Sequence, residues 1–515
     1  MTPTSTVHDL LVIGGGVNGV GIAADAAGRG LSVALCEMDD LASATSSNSS
    51  KLIHGGLRYL EYYEFRLVKE ALAERETLLE NAPHIMWPMR FILPHQPHLR
   101  PAWMIRIGLF MYDHLAKRKR LSGSKSVKFK KDDPIVSSVT KGFEYSDGWV
   151  DDARLVVLNA KLAQQKGATI LTRTQCTKAV RVGELWEVTL VDLNTGASQI
   201  IKAKAIANAA GPWVSSLFGS TFEQKAPKQI RLIKGSHIVV PKIHDQEEAY
   251  ILQNADGRIV FVIPYEDDFS LIGTTDHEYK GDPRKVAIDQ AEIDYLVSIT
   301  KQYFKCNLKA SDVVHTYSGV RPLLDNEAGS AQAVTRDYTF EIQDNNGKAP
   351  VLSVFGGKIT TYRKLAEAAT NAICEYFPQA GATWTKTGTL PGGDFGLPDE
   401  LKQRLSREYP WLPEALVKRW VRTYGTCAKD ILQDAQSLGD LGMNFGASLY
   451  QKEVDYLITN EWAQTVEDII WRRTKLGLRL SDQEITQLDR YLHTLSIGEK
   501  EDSSNSETIA CNTCH

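Results

Sequence analysis

Residues 9–37 read DLLVIGGGVNGVGIAADAAGRGLSVALCE, and they carry the pattern of strand, glycine turn, helix and strand. Leu10 to Ile13 is a short apolar run of the kind a buried parallel strand shows. Gly14-x-Gly16-x-x-Gly19 follows, with a separate physical task for each glycine. Gly14 makes the tight turn, Gly16 admits a pyrophosphate close to the backbone, and Gly19 lets the helix approach the strand. Gly19, Ala23 and Ala27 recur every four residues and give that helix a smooth face. Gly30 stands where a helix C-terminal cap belongs, and Leu31 to Cys36 reads as the second strand. Glu37 closes it about 20 residues after the glycines, where a carboxylate accepts from ribose hydroxyls. Glycine turns also occur for purely structural reasons. Here every flanking element is in register, so the stretch predicts a bound dinucleotide.

A chain of 515 residues has room for two or three domains and a large core. Its net charge of -4 argues against a general nucleic-acid binder, which needs a basic excess. No apolar run reaches the length of a membrane-spanning helix. The opening MTPTSTVHDL has neither a basic nor an apolar region, so no secretory signal and a cytoplasmic location are expected. Seven cysteines are scattered without a disulfide framework, and no metal-ligand set is read among them. The terminal CNTCH matches the C-x-x-C-H haem-attachment pattern, but it ends a polar tail and is read as incidental thiols.

After Glu37 a nicotinamide domain should continue with further βα units. Instead LASATSSNSS at 41–50 leads into KLIHGGLRYL at 51–60, small residues and paired glycines that let backbone N–H groups approach a flat polar ring. Tyr59 to Glu80 reads as one long helix. Residues 102–115, AWMIRIGLFMYDHL, are amphipathic, and residues 117–131 carry eight Lys or Arg and no acid. Such a pairing is what an anionic membrane surface attracts, although a charge run is more often a solvated loop. From Trp186 the pattern turns to β, with strands expected at 187–193, 198–206, 236–240, 250–253, 258–263 and 269–273. NAAGPW at 208–213 is another small-residue turn after a strand. Residues 351–355 read as a buried strand, Gly356-Gly357 as a turn and 358–377 as a helix. A Gly/Thr-rich stretch at 381–396 reads as a linker, and 400–495 as a separate helical domain with Leu401, Leu405, Leu416 and Trp420 inward.

The glycine turns at 14–19, 54–59 and 356–363 look like one site, and a cofactor held by such distant segments is a large, embedded one. A flavin fits better than a nicotinamide that comes and goes. GGGVNG at 14–19, SSKLIHGGLRYLEYYEFRLV at 49–68, NAAGPW at 208–213, IKGSHIVVP at 233–241, IGTTD at 272–276, SGVRPL at 318–323 and FGGKITTYRKLAE at 355–367 closely resemble the FAD-dependent glycerol-3-phosphate dehydrogenases, in particular the respiratory, quinone-linked bacterial kind. The resemblance runs from about residue 8 to about 490. It implies FAD, held by Gly14, Gly16, Asn18, Gly19, Glu37, Thr45, Ser46, Ser50, Lys51, Leu52, His54, Gly55, Gly211, Gly357, Lys358, Ile359 and Thr360. It also implies an α/β fold: a Rossmann-type FAD-binding domain with an inserted antiparallel β-sheet substrate domain, followed by an all-α C-terminal domain.

The implied substrate, glycerol 3-phosphate, carries nearly two negative charges and calls for clustered cations. Arg58 and Arg321 stand at the substrate-binding arginines of that family, with Tyr59 beside them. Oxidising the secondary alcohol needs a base that titrates near the working pH. His237, within an apolar strand, is the first choice on this reading, with a satisfied core histidine as the plain alternative. Lys358 is the competitor, either with a lowered pKa or as a charge that stabilises the developing oxyanion. Thr274 and Thr275 resemble pocket hydroxyls of the family, yet both are ordinary sheet formers too.

The resulting division is FAD-binding at 1–80, 151–220 and 326–380, a substrate or membrane-facing segment at 81–150, and the antiparallel substrate segment at 221–325. A linker at 381–396, the helical domain at 397–496 and a disordered tail at 497–515 complete it. The resemblance further implies electron delivery to a membrane quinone at the inner face of the cytoplasmic membrane, and a homo-oligomer, a dimer. A glycerol-3-phosphate oxidase using O2 and a non-catalytic flavin-binding redox sensor are the rival readings.

Overall fold

Strand Val7–Ile13 and strand Val33–Cys36 run parallel, joined by helix Val17–Gly28, as the opening stretch predicts. The computed structural model describes residues 6–96, 101–254, 256–325 and 337–495, apart from the side chains of Arg58 and Tyr62. The tail from 497, with its CNTCH ending, lies outside the described residues.

The first sheet has the order Thr339–Asn345, Lys348–Phe355, Ser198–Asn208, Val7–Ile13, Val33–Cys36, Thr169–Leu171. Its central strands are parallel, with Ile13 opposite both Asn208 and Cys36, and Asn208 opposite Ser353. Their carboxyl ends therefore share one rim, the place where open α/β sheets bind ligands. Gly14, Ala209 and Gly356 all leave the sheet at that rim. Helix Val17–Gly28 packs between helices Asp152–Gln165 and Tyr362–Cys374. A Cβ on Gly21 would stand 3.1 Å from the Tyr362 ring, so the small residue at that position keeps the two helices close.

The second sheet has the order His277–Tyr279, Ile230–Pro241, Phe269–Gly273, Ile259–Tyr265, Ala249–Gln253, Met86–Pro94, Lys141–Val150, Leu52–Ile53. His315–Leu324 adds to Ile230–Pro241, and Lys125–Lys128 adds to Lys141–Val150. Helix Gln290–Tyr303 covers one face, where Leu296, Val297 and Ile299 join a core with Ile238, Val240, Val262 and Ile272. This sheet begins well before residue 221, because Met86–Pro94 and Lys141–Val150 belong to it. Two prolines in MWPMRFILP hide the first of these from a reading by alternation.

Two expected helices are interrupted. The long helix expected from Tyr59 is a 3-10 turn, Leu57–Tyr62, then a break at Tyr63 (φ 59°), then helix Phe65–Asn81. The helix expected from Lys358 opens as a 3-10 turn, Ile359–Thr361, before Tyr362–Cys374. The Gly/Thr stretch expected as a linker is bound to the first unit instead. Trp384 Nε1 donates to the Asp25 carbonyl at 3.2 Å, Leu390 N–H to the Asn81 carbonyl at 2.9 Å, and the indole lies flat against Gly28.

The chain divides into two compact units, residues 1–394 and 395–515. Within the second, helices Pro398–Glu408, Glu414–Tyr424 and Gln451–Glu461 bury Leu401, Leu405, Leu416 and Trp420 around a core of their own, on the predicted face. Glu453, fully buried there, accepts from Arg419 at 2.5 and 2.7 Å and from the Tyr424 hydroxyl at 2.7 Å.

Candidate active site

Between the rim of the first sheet and one face of the second lies a cavity of about 440 Å³. Gly14, Gly16, Asn18, Glu37, Thr45, Ser46, Ser50, Leu52, His54, Gly211, Gly357, Lys358, Ile359 and Thr360 line it, and so do Tyr59, Thr274 and Arg321. Its walls thus come from both sheets and from all three glycine turns.

The first turn is shaped by exclusion. A Cβ on Gly14, whose φ is +113°, would stand 2.6 Å from the Ala209 carbonyl oxygen, and one on Gly19 would stand 1.9 Å from the Gly14 carbonyl oxygen. Gly19 therefore packs helix on turn and does not face the cavity. Gly16 meets only Ser46 Oγ, at 3.2 Å. Ser46 Oγ also accepts the Val17 N–H at 3.0 Å, taking one of the donors at the helix start.

Glu37 accepts from the N–H of Gly15 at 2.6 Å and of Asp39 at 2.8 Å. Burial still pushes its carboxyl up to about 7, since two backbone donors do not replace lost water. A ribose diol brings two more donors to that carboxylate. Asn18 is the second group that needs a partner: it faces the cavity and its buried Oδ1 has no hydrogen bond. The positive φ of Gly356 and Gly357 bends the third turn so that Lys358 and Thr360 also face inward. Glycine cradle, poised carboxylate and unmatched amide together fit a dinucleotide lying along the rim.

Two cations, Arg321 and Lys358, also line the cavity. Arg321 Nη1 contacts Asp276 Oδ1 at 2.5 Å and Nη2 donates to Thr274 Oγ1 at 3.1 Å, which fixes the plane of the guanidinium. Gly235 is required beneath it, because a Cβ there would stand 2.5 Å from Arg321 Nη2. Lys358 Nζ sits 4.0 Å from the centre of the Tyr59 ring, a cation–π contact that holds the ammonium over the phenol. The Arg58 side chain lies outside the described residues.

Three expected cofactor residues face elsewhere. Lys51 is buried and pairs with Asp152 at 2.7 Å, while also donating to the Ser47 carbonyl. Gly55 gives its N–H to the Tyr112 hydroxyl at 2.7 Å, and that hydroxyl donates to Asp147, which in turn pairs with Arg75 at 2.5 Å. Gly19 is the third, as above. Thr275, expected beside Thr274, is buried and donates to Glu292 Oε1 at 2.7 Å.

His237 is the chief correction. It is only 1% exposed and stands behind the wall, with Nε2 2.9 Å from Ser50 Oγ and its ring stacked on Tyr317 at 4.8 Å. Burial, then the charges of Arg321 and Lys51, hold its pKa well below the ordinary imidazole value. A side chain so placed does not line the cavity, and its burial disfavours the protonated form. A histidine in an apolar strand signals burial at least as strongly as chemistry. Asp276, Gly235, Ser49 and Asn48 are lining residues that the sequence reading passed over, although IGTTD at 272–276 contains the first.

Residues 9–363 match the family described as FAD dependent oxidoreductase, and residues 383–496 match the C-terminal domain of alpha-glycerophosphate oxidase. The chain is 56% identical over 485 residues to the aerobic glycerol-3-phosphate dehydrogenase of Escherichia coli (strain K12), covering 94% of this chain and 97% of that one. It is 53% identical over 481 residues to the D-erythritol 1-phosphate dehydrogenase of Brucella abortus (strain 2308), covering 92% and 96%. The solved glycerol-3-phosphate dehydrogenase of Bacillus halodurans complexed with FAD superposes with a TM-score of 0.71 at 26% identity, covering 96% of this chain and 95% of that one.

Proposed function

The chain belongs to the FAD-dependent oxidoreductases, among the glycerol-3-phosphate dehydrogenases, and from that premise we infer that it oxidises sn-glycerol 3-phosphate to dihydroxyacetone phosphate and passes the electrons to a membrane quinone. One observation carries the substrate: Arg321, clamped by Asp276 and Thr274, faces the same cavity as the cofactor turns. A pre-set planar guanidinium matches a phosphate dianion and offers nothing to an amine cation.

FAD, when bound, supplies the two-electron acceptor that takes the hydride from C2. The protein does the rest. Gly14, Gly16, Asn18, Glu37, Thr45, Ser46, Ser50, Leu52, Gly211, Gly357, Ile359 and Thr360 would hold the cofactor, since all of them line the cavity. Arg321 binds the phosphate in this reading, and the resemblance at residues 49–68 assigns Arg58 to the same task. Lys358, seated over the Tyr59 ring, stabilises negative charge in this reading as the hydroxyl proton leaves. His54 takes that proton in this reading, because it lines the cavity and His237 does not. Leu93, Ile251, Ile259 and Phe261 close the apolar side and keep water from the reacting carbon.

An exposed apolar face supports the quinone reading. Helix Ala102–His114 buries Ile105, Leu109 and Tyr112 and exposes Trp103 (64%), Ile107 (50%), Phe110 (57%) and Met104 (47%), with Tyr63 exposed on the neighbouring turn. Four large apolar groups on one outward face fit the interfacial layer of a bilayer. The basic stretch beside it contributes less than its composition promises. Arg118 pairs with Asp113, Lys119 with Glu80 and Lys125 with Glu144. Among the described residues no helix is long and apolar enough to cross a membrane, so attachment at the inner face is peripheral in this reading.

The test is optical. Glycerol 3-phosphate, added without oxygen, should bleach the bound flavin, and glycerol should not. Reoxidation by a short-chain quinone should outpace reoxidation by air; stoichiometric peroxide without quinone would favour an oxidase. D-erythritol 1-phosphate belongs in the same cuvette, since a relative of comparable identity bears its name. Faster bleaching by the tetritol ester would move the substrate assignment to it.

A further inference from the structure

Ser50 lines the cavity, and its hydroxyl is the polar contact that the buried ring of His237 makes among the described residues, through Nε2 at 2.9 Å. The opposite ring nitrogen, Nδ1, is buried without a hydrogen-bond partner. A neutral imidazole carries one proton, and its position is decided by what surrounds it. On Nδ1 it would be a buried donor facing no acceptor, a rare and costly arrangement. On Nε2 it is donated to Ser50 Oγ, and only a lone pair at Nδ1 goes unmet. Lys51 and Arg321, the two cations felt by the ring, also oppose a second proton.

The surroundings leave the ring no other pose. Gly273 lies against it so closely that a Cβ would stand 2.1 Å from the imidazole. On the other face Tyr317 stacks at 4.8 Å with 19° between planes, and its hydroxyl donates to the Ser49 carbonyl at 2.8 Å. The adjacent strands therefore hold the Ser49–Ser50 backbone with one residue and the Ser50 side chain with the other.

We propose that His237 is a positioning residue: by donating Nε2–H to Ser50 Oγ it directs the Ser50 hydroxyl hydrogen into the cavity, making Ser50 a fixed donor to the bound flavin. Without His237 the hydroxyl is free to rotate and to spend its hydrogen elsewhere. The inference rests on FAD as the occupant of the cavity.

Titration of the full-length apo-protein with FAD tests it. Ser50→Ala should raise the FAD dissociation constant about tenfold, the ordinary worth of one such bond. His237→Leu should have a similar effect, and His237→Gln, which keeps an amide donor toward Ser50, should stay within about threefold of wild type. The double variant Ser50→Ala/His237→Leu should bind no more weakly than Ser50→Ala alone, because the two act through one hydrogen bond. Ser50→Ala within twofold of wild type, or His237→Gln as weak as His237→Leu, overturns the proposal. Should the histidine variants fail to fold, neutron diffraction from the unaltered holoenzyme decides it: a deuteron on Nε2 is expected, and one on Nδ1 overturns it. FAD binding by the wild-type chain reports on the cofactor alone, and the ratios among variants report on His237.

Discussion

Arg321 is oriented before any substrate arrives, because Asp276 and Thr274 already occupy two of its edges. Arg321→Ala should lower kcat/KM for glycerol 3-phosphate by about 100-fold, the scale of a lost charge-assisted bond, with FAD still bound. Unchanged efficiency in steady-state assays would remove it from the pocket. Glu37 gives a pH signature. Its carboxyl is raised to about 7 by burial, and ribose hydroxyls would favour its ionised form. Below that pH the apo-protein must release a proton to bind, so the FAD dissociation constant should rise up to about tenfold per pH unit. By the same sign the apo-protein loses stability from this group as pH rises between the ordinary carboxylate value and 7. Glu37→Gln should flatten the binding profile, and isothermal titration at several pH values checks it. Arg321 was singled out through the family resemblance at Gly-Val-Arg-Pro and Glu37 through its distance from the glycine turn, and both line the cavity. His237 and Lys51 were expected at the site and are buried outside the cavity lining, because sequence is silent on whether a polar side chain faces a ligand or a buried partner. Asp152, the partner of Lys51, lies in a different element altogether.

The opening βαβ element was readable almost residue by residue, since every one of its signals is local. Gly19→Val should yield apo-protein, as the Gly14 carbonyl stands 1.9 Å from the added carbon, and Gly16→Val should do the same by filling the space its backbone leaves for a pyrophosphate. The absorbance ratio of flavin to protein after purification reports both. Strands Met86–Pro94 and Lys141–Val150 escaped notice because their partners lie far along the chain, and pairing supplies what local alternation lacks. The amphipathic helix Ala102–His114 was predicted correctly, but its basic neighbour was overvalued, since ion pairs are invisible in composition. Trp103→Ser/Ile107→Ser/Phe110→Ser should cut sedimentation with anionic vesicles by at least about tenfold, given ~1.5–3 kcal/mol for each large apolar side chain fully buried. Neutralising Arg118, Lys119 and Lys125 should do far less. Equal losses would return the charges to the leading role.

At the scale of the whole chain, two separate cores predict two separable unfolding events. Added FAD should raise the midpoint of one transition and leave the other in place, because a ligand stabilises only the unit that binds it. Differential scanning calorimetry with and without FAD reads this directly, and a single transition moving as one would contradict it. The Gly/Thr stretch at 381–396 was expected to be a loose tether, yet it is fastened to the first unit by Trp384 and Leu390. Composition alone missed those anchors, which are single apolar residues among many small ones. The parallel strands whose ends form the rim come from opposite ends of the first unit, Val7–Ile13, Ser198–Asn208 and Lys348–Phe355. During synthesis the ribosome therefore delivers the first glycine turn long before the last. A nascent polypeptide halted short of Gly357 owns a phosphate loop and no closed cradle, so flavin loading must wait until the final parallel strand has left the exit tunnel and slotted in beside Ser198–Asn208.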